Sequence, residues 1–171
     1  MNTDPRFPIG KFDPVSFRSR SENIKSIAEL PSRLTNAVAG LSENQLHTPY
    51  REGGWTLRQT VHHIADSHIN SLCRLKLALT EDAPTIRPYH EERWAELPDS
   101  RMPVDVSLKI IEGVHSRWSS LLESMSEADF QREFIHPDTG NWTLENMLAL
   151  YAWHSRHHTA HITSTRERHG W

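Results

Sequence analysis

The pattern of apolar and polar positions predicts four long amphipathic helices. The first is expected within residues 21–40, where apolar side chains recur at helical spacing at Ile24, Ile27, Leu34, Ala37 and Val38. Pro31 lies near the middle of this segment, and a proline inside a helix removes one backbone hydrogen bond and clashes with the preceding turn. We therefore expect the first helix to be broken or kinked, in two pieces.

Three further helices follow from cap residues and apolar spacing. Thr56 is a good N-cap for a second helix that should run to about Leu79. Beyond Pro103, steps of three and four residues predict a third helix with the seam Leu108, Ile111, His115, Trp118, Leu122 and Met125. Thr143 should cap a fourth helix that continues to about Glu167.

The connections between these helices differ in length. Residues 41–54 form a connector with room for one helical turn, and residues 136–143, "HPDTGNWT", indicate a turn. Residues 80–103 contain four prolines and no sustained period, and a loop of this length in a compact domain is usually functional or lies over a site. It is expected to form a lid. No segment shows convincing strand alternation.

Four amphipathic helices in a chain of 171 residues are most economically packed as an all-α four-helix bundle. We expect one domain over residues 1–171, since this length suits a single core. Residues 1–15 hold three prolines and little periodicity, so they should form an extended N-terminal arm.

Composition narrows the classes of function and partner. The formal net charge is −3 and the basic residues are scattered, so the stripe that binds a phosphate backbone is missing and nucleic acid is not an expected partner. The single cysteine, Cys73, excludes an intramolecular disulfide and an all-thiolate zinc site. The beginning of the chain does not look like a signal peptide, and no apolar run is long enough for a membrane span. We expect a cytoplasmic protein.

Histidines are the most conspicuous candidate chemistry, and four of the twelve lie between residues 154 and 161. Side chains four positions apart share a helix face, which pairs His154 with His158 and His157 with His161. His158 lies near the centre of the apolar face, His154 somewhat off it, and His157 farthest away. We predict that His154 and His158 are the buried pair and bind a metal ion, with His157 and His161 partly exposed or supporting the ligands.

Two imidazoles leave a divalent ion short of ligands, because catalytic zinc usually takes three protein ligands and keeps one position open. The third ligand should come from a facing helix, and "VHHIADSH", residues 61–68, offers three histidines. Apolar register favours His68 and puts His63 on the opposite side. Periodicity by itself leaves this ligand open.

Other aromatic and histidine side chains have more ordinary explanations. His62 is expected at the edge of the core or beside a ligand, and His115 is expected to be a hydrogen-bonded core histidine. Tryptophans should pack the core at Trp55, Trp118, Trp142 and Trp153. Tyr89 and Trp94, in the long loop, could contact a ligand.

Three stretches carry a resemblance to a known family: "TPYREGGWTLRQTVHHIADSH", "IRPYHEERWAEL" and "FIHPDTGNWTLENMLALYAWHSRHHTAHI". They closely resemble the YfiT-like metal-dependent hydrolases of bacteria, a branch of the DinB-like superfamily. The similarity extends over nearly the whole chain. It implies a four-helix bundle, usually dimeric, with one zinc or nickel ion held by three histidines.

The resemblance also assigns the ligands. In this family the first is the histidine immediately before a hydrophobic-Ala-Asp triplet, which is His63, and the others are His154 after a tryptophan and His158 four residues on. The last two agree with the register argument, whereas His63 replaces the His68 that register favours. We follow the resemblance, because a helix packed on more than one side makes apolar register a weak guide.

The expected function is that of a metal-dependent hydrolase acting on a small molecule through water activated by the ion. The alternative is an S-transferase that joins a low-molecular-weight bacterial thiol, such as bacillithiol, to an electrophile; a thiol requirement would distinguish the two. A metal-dependent binding module ranks last, because structural zinc is usually held with cysteines. No H-E-x-x-H motif is present, so the residue that accepts the proton stays open. The substrate and the physiological metal are also open.

Overall fold

A computed structural model of the chain describes residues 4–13 and 18–171. The predicted four-helix bundle is confirmed, with long helices α1 (Arg20–Val38), α3 (Leu57–Thr80), α5 (Val104–Ser124) and α7 (Leu144–His169). The connections contain short helices α2 (Glu43–Leu46), α4 (Glu91–Trp94) and α6 (Glu127–Phe130), and a 3-10 turn at Pro98–Arg101. Of the predicted arm, residues 1–3 and 14–15 lie outside the described residues.

The predicted caps begin the helices. The Thr56 hydroxyl accepts a hydrogen bond from the Gln59 backbone N–H, and the Gln59 side chain accepts one from the Thr56 backbone. The Thr143 hydroxyl accepts from the Asn146 N–H at the start of α7. This helix ends at Gly170, which has a left-handed φ of 70° that favours glycine.

The expected division of the first helix is wrong, because α1 continues through Pro31 without interruption. Pro31 has no N–H to donate to the carbonyl of Ile27, four residues earlier. That carbonyl instead accepts a hydrogen bond from His115 Nδ1 of α5, at 2.6 Å. A side chain from a neighbouring helix therefore replaces the missing backbone bond.

The expectation of a chain without strands is also wrong. β1 (Glu133–His136) and β2 (Gly140–Thr143) form an antiparallel hairpin around the predicted turn. The backbone of Ile135 also bonds with that of Pro84 and Ile86, which anchors the hairpin to the segment after α3. Each strand has only four residues, which is too short for a period of two to stand out in a sequence.

The core consists of two apolar clusters stacked along the bundle. Each long helix contributes to both clusters, and between the two contributions lie His68 on α3, His115 on α5 and the histidines of residues 154–161 on α7. The first cluster includes Ile27, Leu72, Trp118 and Tyr151, and the second includes Leu34, Val61, Ile111 and Ile162. A layer of imidazoles from α3, α5 and α7 therefore crosses the middle of the bundle between two apolar layers.

The order of these clusters also gives the direction of each helix. Along α1 and α7 the chain meets the first cluster before the second, whereas along α3 and α5 the order is reversed. The consecutive helices α3 and α5 therefore run parallel, and they pack against each other. Parallel neighbours require a connection that returns along the bundle, which explains the long segment of residues 81–103.

Among residues 4–13 and 18–171, none of the helices combines the length and apolar character of a membrane span.

Candidate metal centre

Three histidines from two helices converge in the central layer. His63 projects from α3, and His154 and His158 lie one turn apart on α7. One ring nitrogen of each lies within 4.8 Å of the other two. The Nε2 atoms of His63 and His154 are 3.3 Å apart, and the ring centroids of His154 and His158 are separated by 4.3 Å. These are the three residues that the resemblance assigns as ligands.

The spacing of these nitrogens suits a small divalent ion. In a tetrahedral zinc site each nitrogen lies about 2.0–2.1 Å from the ion, so two ligand nitrogens are about 3.3–3.4 Å apart. The separation between His63 Nε2 and His154 Nε2 matches this value. A set of three imidazoles is also a donor set that zinc, copper, iron and nickel prefer. The residues present therefore fit the metal ion that the resemblance implies.

Burial keeps these imidazoles neutral, which is the protonation state that metal binding requires. It lowers the pKa of His63 to about 4, with a smaller contribution from the nearby His161. Burial and the neighbouring imidazoles lower the pKa of both His154 and His158 well below the usual value for histidine. At neutral pH the three ring systems present lone pairs rather than positive charge.

The residue favoured by apolar register, His68, lies behind the ligand group. Its side chain is fully buried, and its Nε2 lies 3.0 Å from Nδ1 of His154. Its Nδ1 lies 2.7 Å from Nε2 of His115, which in turn bonds the Ile27 carbonyl. His115 is thus a hydrogen-bonded core histidine, as its position on the α5 seam predicts. The apolar register correctly indicated that His68 is buried. However, His68 contacts the candidate ligand His154 and is not itself a member of the ligand group.

Of the two roles expected for His157 and His161, partial exposure is wrong, since these residues are only 5% and 3% exposed, whereas His161 does contact a candidate ligand, with its Nδ1 3.2 Å from Nδ1 of His158. His154, which was predicted to be one of the buried pair, is more exposed than His157 and His161, because it faces the site cavity. Residues from distant segments of the chain cover the rings of His157 and His161. Phe7 in the N-terminal arm lies 6.0 Å from the ring of His157, and Tyr50 stacks on His161 at 4.0 Å.

His157 and His161, with His158, form a second group of close ring nitrogens. In this group Nε2 of His161 donates to the Arg6 carbonyl at 3.2 Å, and Nδ1 of His161 faces Nδ1 of His158 at 3.2 Å. Both nitrogens of His161 therefore already have partners. The group around His63 is the better candidate for a metal ion.

A cavity of about 750 Å³ opens onto the histidines. Its walls carry both signs of charge, with Arg6 and Arg51 among the basic lining residues. Trp55 and Trp153 also line it. Trp153 stacks on His157 with ring centroids 4.2 Å apart, and the ring of Trp55 is tilted by 45° against that of His63 at 4.5 Å. Their expected place in the core is therefore wrong, whereas Trp118 is fully buried there and Trp142 packs against the first cluster.

The long segment between α3 and α5 supplies the acidic wall of the cavity. Glu91, Glu92 and Glu96, from α4 and the residues just after it, line the cavity as the predicted lid would. Partial burial and the neighbouring Glu92 raise the pKa of Glu91. Sequence reasoning missed these carboxylates; the signal was the acidic run "HEERWAE" within a proline-bounded loop. Tyr89 and Trp94, proposed there as ligand contacts, pack on each other at 4.5 Å and do not line the cavity.

His62 lies outside the ligand group although it adjoins His63 in sequence. Its Nδ1 bonds the Ser107 hydroxyl at 2.7 Å and its Nε2 bonds the Met102 carbonyl at 3.0 Å. It therefore fastens α3 to the beginning of α5, in line with the expected place at the edge of the core.

The chain is thus a four-helix bundle with a parallel α3/α5 pair and a central group of three histidines. The profile of the DinB superfamily matches residues 26–162, and the chain belongs to this superfamily. Within it, the chain is 55% identical to a Bacillus anthracis protein named "Putative metal-dependent hydrolase" and 54% identical to a Bacillus cereus protein of the same name, over 98% of this chain and 99% of each relative.

A solved structure gives the same result. YfiT from Bacillus subtilis, described as "a probable metal-dependent hydrolase with an unusual four-helix bundle topology", superposes with a TM-score of 0.94 at 47% sequence identity. The match covers 99% of both chains. The resemblance to YfiT-like proteins is thus confirmed.

Proposed function

We propose that this chain is a metal-dependent hydrolase that acts on a small molecule, with one zinc or nickel ion held by His63, His154 and His158. The observation that carries the proposal is the convergence of three neutral imidazoles, with nitrogens within 4.8 Å of one another, on an open cavity of about 750 Å³. The names of the relatives and the description of YfiT support the coarser part of the proposal, a metal-dependent hydrolase.

Three neutral ligands leave the ion its full positive charge, which lets it lower the pKa of water or polarise a carbonyl group when bound. The chain's own residues supply the rest of the chemistry. Trp55 and Trp153 restrict water around the histidines, and Arg51 can bind an anionic part of the substrate. Glu91 is a cavity carboxylate whose raised pKa makes it a suitable proton acceptor.

Metal content tests this assignment directly. We expect about one zinc or nickel ion per chain in the wild-type protein and its loss in His158→Ala. His62→Ala is the matched control, because His62 is equally buried but bonds Ser107 and Met102 away from the ligand group. If neither zinc nor nickel binds the wild-type protein stoichiometrically, the proposal is wrong.

A second reaction, thiol S-transfer, is supported by the mixed charge of the cavity. Arg6 and Arg51 face a space that Glu91, Glu92 and Glu96 also line, which suits a small zwitterionic thiol carrying carboxylate and amine groups. A thiolate could take the ligand position that water takes in hydrolysis. Turnover that requires an added low-molecular-weight thiol would establish the transferase, and thiol-independent turnover would establish the hydrolase.

We also propose that the protein is a cytoplasmic homodimer. The free, exposed Cys73 suits a reducing compartment, and a dimer is what the family resemblance of the sequence implies. Sedimentation equilibrium should give twice the chain mass of 19.8 kDa, and a monomer at micromolar concentration would contradict the dimer.

A further inference from the structure

Two series of hydrogen-bonded imidazoles lead from backbone carbonyls to the two candidate ligands of α7. We propose that these series fix the proton of His154 and of His158 on Nδ1, which leaves both Nε2 lone pairs free for a metal ion. His68, His115 and His161 are then positioning residues that act through the ligands. The inference rests on the proposed function, in which His154 and His158 bind the ion.

The first series starts at the Ile27 carbonyl, which can only accept a hydrogen bond. Nδ1 of His115, at 2.6 Å, must therefore carry a proton. A neutral imidazole with a proton on Nδ1 accepts at Nε2, so the His115 Nε2, at 2.7 Å, accepts from Nδ1 of His68. By the same rule the His68 Nε2 accepts from Nδ1 of His154, at 3.0 Å. The remaining nitrogen of His154, Nε2, is left unprotonated.

Pro31 leaves the first acceptor of this series, the Ile27 carbonyl, without a backbone donor. In a helix without proline the Ile27 carbonyl would accept the backbone N–H of residue 31, but a proline has no N–H. The carbonyl is buried between α1 and α5, where an unbonded acceptor would be costly. The proline and His115 therefore complement each other: the proline leaves an acceptor, and His115 supplies its donor in one fixed tautomer.

The second series reaches His158 from the N-terminal arm. The Arg6 carbonyl accepts from Nε2 of His161, at 3.2 Å, which leaves Nδ1 of His161 as an acceptor. The partner of that nitrogen is Nδ1 of His158, at 3.2 Å, which must carry the proton. The result is the same as for His154, with Nε2 of His158 unprotonated.

The two series are independent, since one is anchored in α1 and the other in the arm, yet they specify the same tautomer. A histidine in the opposite tautomer would direct an N–H at the ion and would have to rearrange before binding it. Hydrogen-bonded partners of metal-ligating histidines typically change metal affinity about 10- to 100-fold when they are removed.

The tautomers can be measured on the wild-type protein without metal. Long-range ¹H–¹⁵N correlation spectra near neutral pH distinguish the protonated from the unprotonated nitrogen of each imidazole. We expect the proton on Nδ1 in His154, His158, His68 and His115, and on Nε2 in His161. A proton on Nε2 of either His154 or His158 would overturn the inference.

The effect on the ion is measured by zinc affinity, in competition with a chromophoric chelator. In His68→Leu the Nδ1 proton of His154 loses its acceptor, so we expect zinc to bind about 10- to 100-fold more weakly. In His68→Gln the amide oxygen can accept that proton and the amide N–H can donate to His115, so affinity should return to within a few-fold of wild type.

His62→Leu is the matched control, because it also removes a buried histidine of α3 that has two hydrogen bonds. Its stability should fall while its zinc affinity stays unchanged. Equal zinc affinity in His68→Leu and wild type, or no recovery in a folded His68→Gln, would refute the positioning role. Failure of the wild-type protein to bind zinc or nickel would instead refute the proposed function, and the spectra of the metal-free protein would still decide the tautomers.

Discussion

Acid sensitivity of the fold should depend on His115, and replacing this residue with glutamine tests that dependence. His115 is 1% exposed, and burial lowers its pKa from 6.5 to about 4, although its bond to the Ile27 carbonyl acts in the opposite direction. Glutamine has one acceptor and an amide donor, so it can bond both Ile27 and His68, but it does not titrate. The variant therefore removes the charge change while it keeps the polar contacts.

The direction of the pH effect on stability follows from the pKa values of His115 in the unfolded and folded states. The unfolded chain takes up a proton near pH 6.5, whereas the folded chain resists it until about pH 4, so acid favours the unfolded state between these values. At 1.36 kcal/mol for each unit of pKa, the free energy of unfolding should fall by about 3 kcal/mol over this window because of His115 alone. Above pH 6.5 the imidazole is neutral in both states and contributes no pH dependence.

Urea unfolding of the metal-free protein, at a series of pH values with a chelator present, measures this difference. Wild type and His115→Gln should have similar unfolding free energies above pH 6.5. They should separate as the pH falls, with the variant retaining about 3 kcal/mol more of its neutral-pH stability at pH 4. If the two stabilities decline in parallel, His115 is not held neutral by burial and the reasoning is refuted.

Three further outcomes are expected. Trp118→Ala should lower the unfolding free energy by about 3–5 kcal/mol in urea unfolding, because the indole is fully buried, whereas Trp94→Ala, at a side chain 38% exposed, should cost much less. Zinc at 100 times its dissociation constant should stabilise wild type by about 2.7 kcal/mol in thermal unfolding but leave His158→Ala unchanged; equal stabilisation of both would place the ion elsewhere. Glu91→Gln should lower turnover about 10²- to 10⁴-fold with the zinc content unaltered, and undiminished turnover would exclude this carboxylate as the proton acceptor.

Local features of the fold could be predicted from the sequence because their signals are local. Thr56 and Thr143 cap the helices that they were expected to cap, since a cap depends on bonds within one turn. The parallel arrangement of α3 and α5 and the short hairpin depend on packing between distant segments. Neither leaves a clear period in the sequence.

The candidate site shows the same division between local and distant information. The spacing of apolar residues along a helix predicts which side chains are buried. It favoured His68 as the ligand on α3, and His68 is indeed more buried than His63. A metal ligand must also face a cavity, and that property depends on neighbouring helices. His157 and His161 are covered by the arm and by Tyr50, whose contacts with α7 cannot be read from the period of one helix. The family resemblance supplied His63 because it carries information about a whole structure.

Pro31 has a consequence for protein engineering. A proline within a helix is an obvious target for stabilisation, since alanine is more favourable there by about 3 kcal/mol in an ordinary helix. At this position the alanine N–H would compete with His115 for the Ile27 carbonyl and weaken the bond that fixes the His115 tautomer. A thermostability screen would therefore tend to select a change that loosens the histidines at the centre of the bundle, so that a more robust protein could be a poorer catalyst.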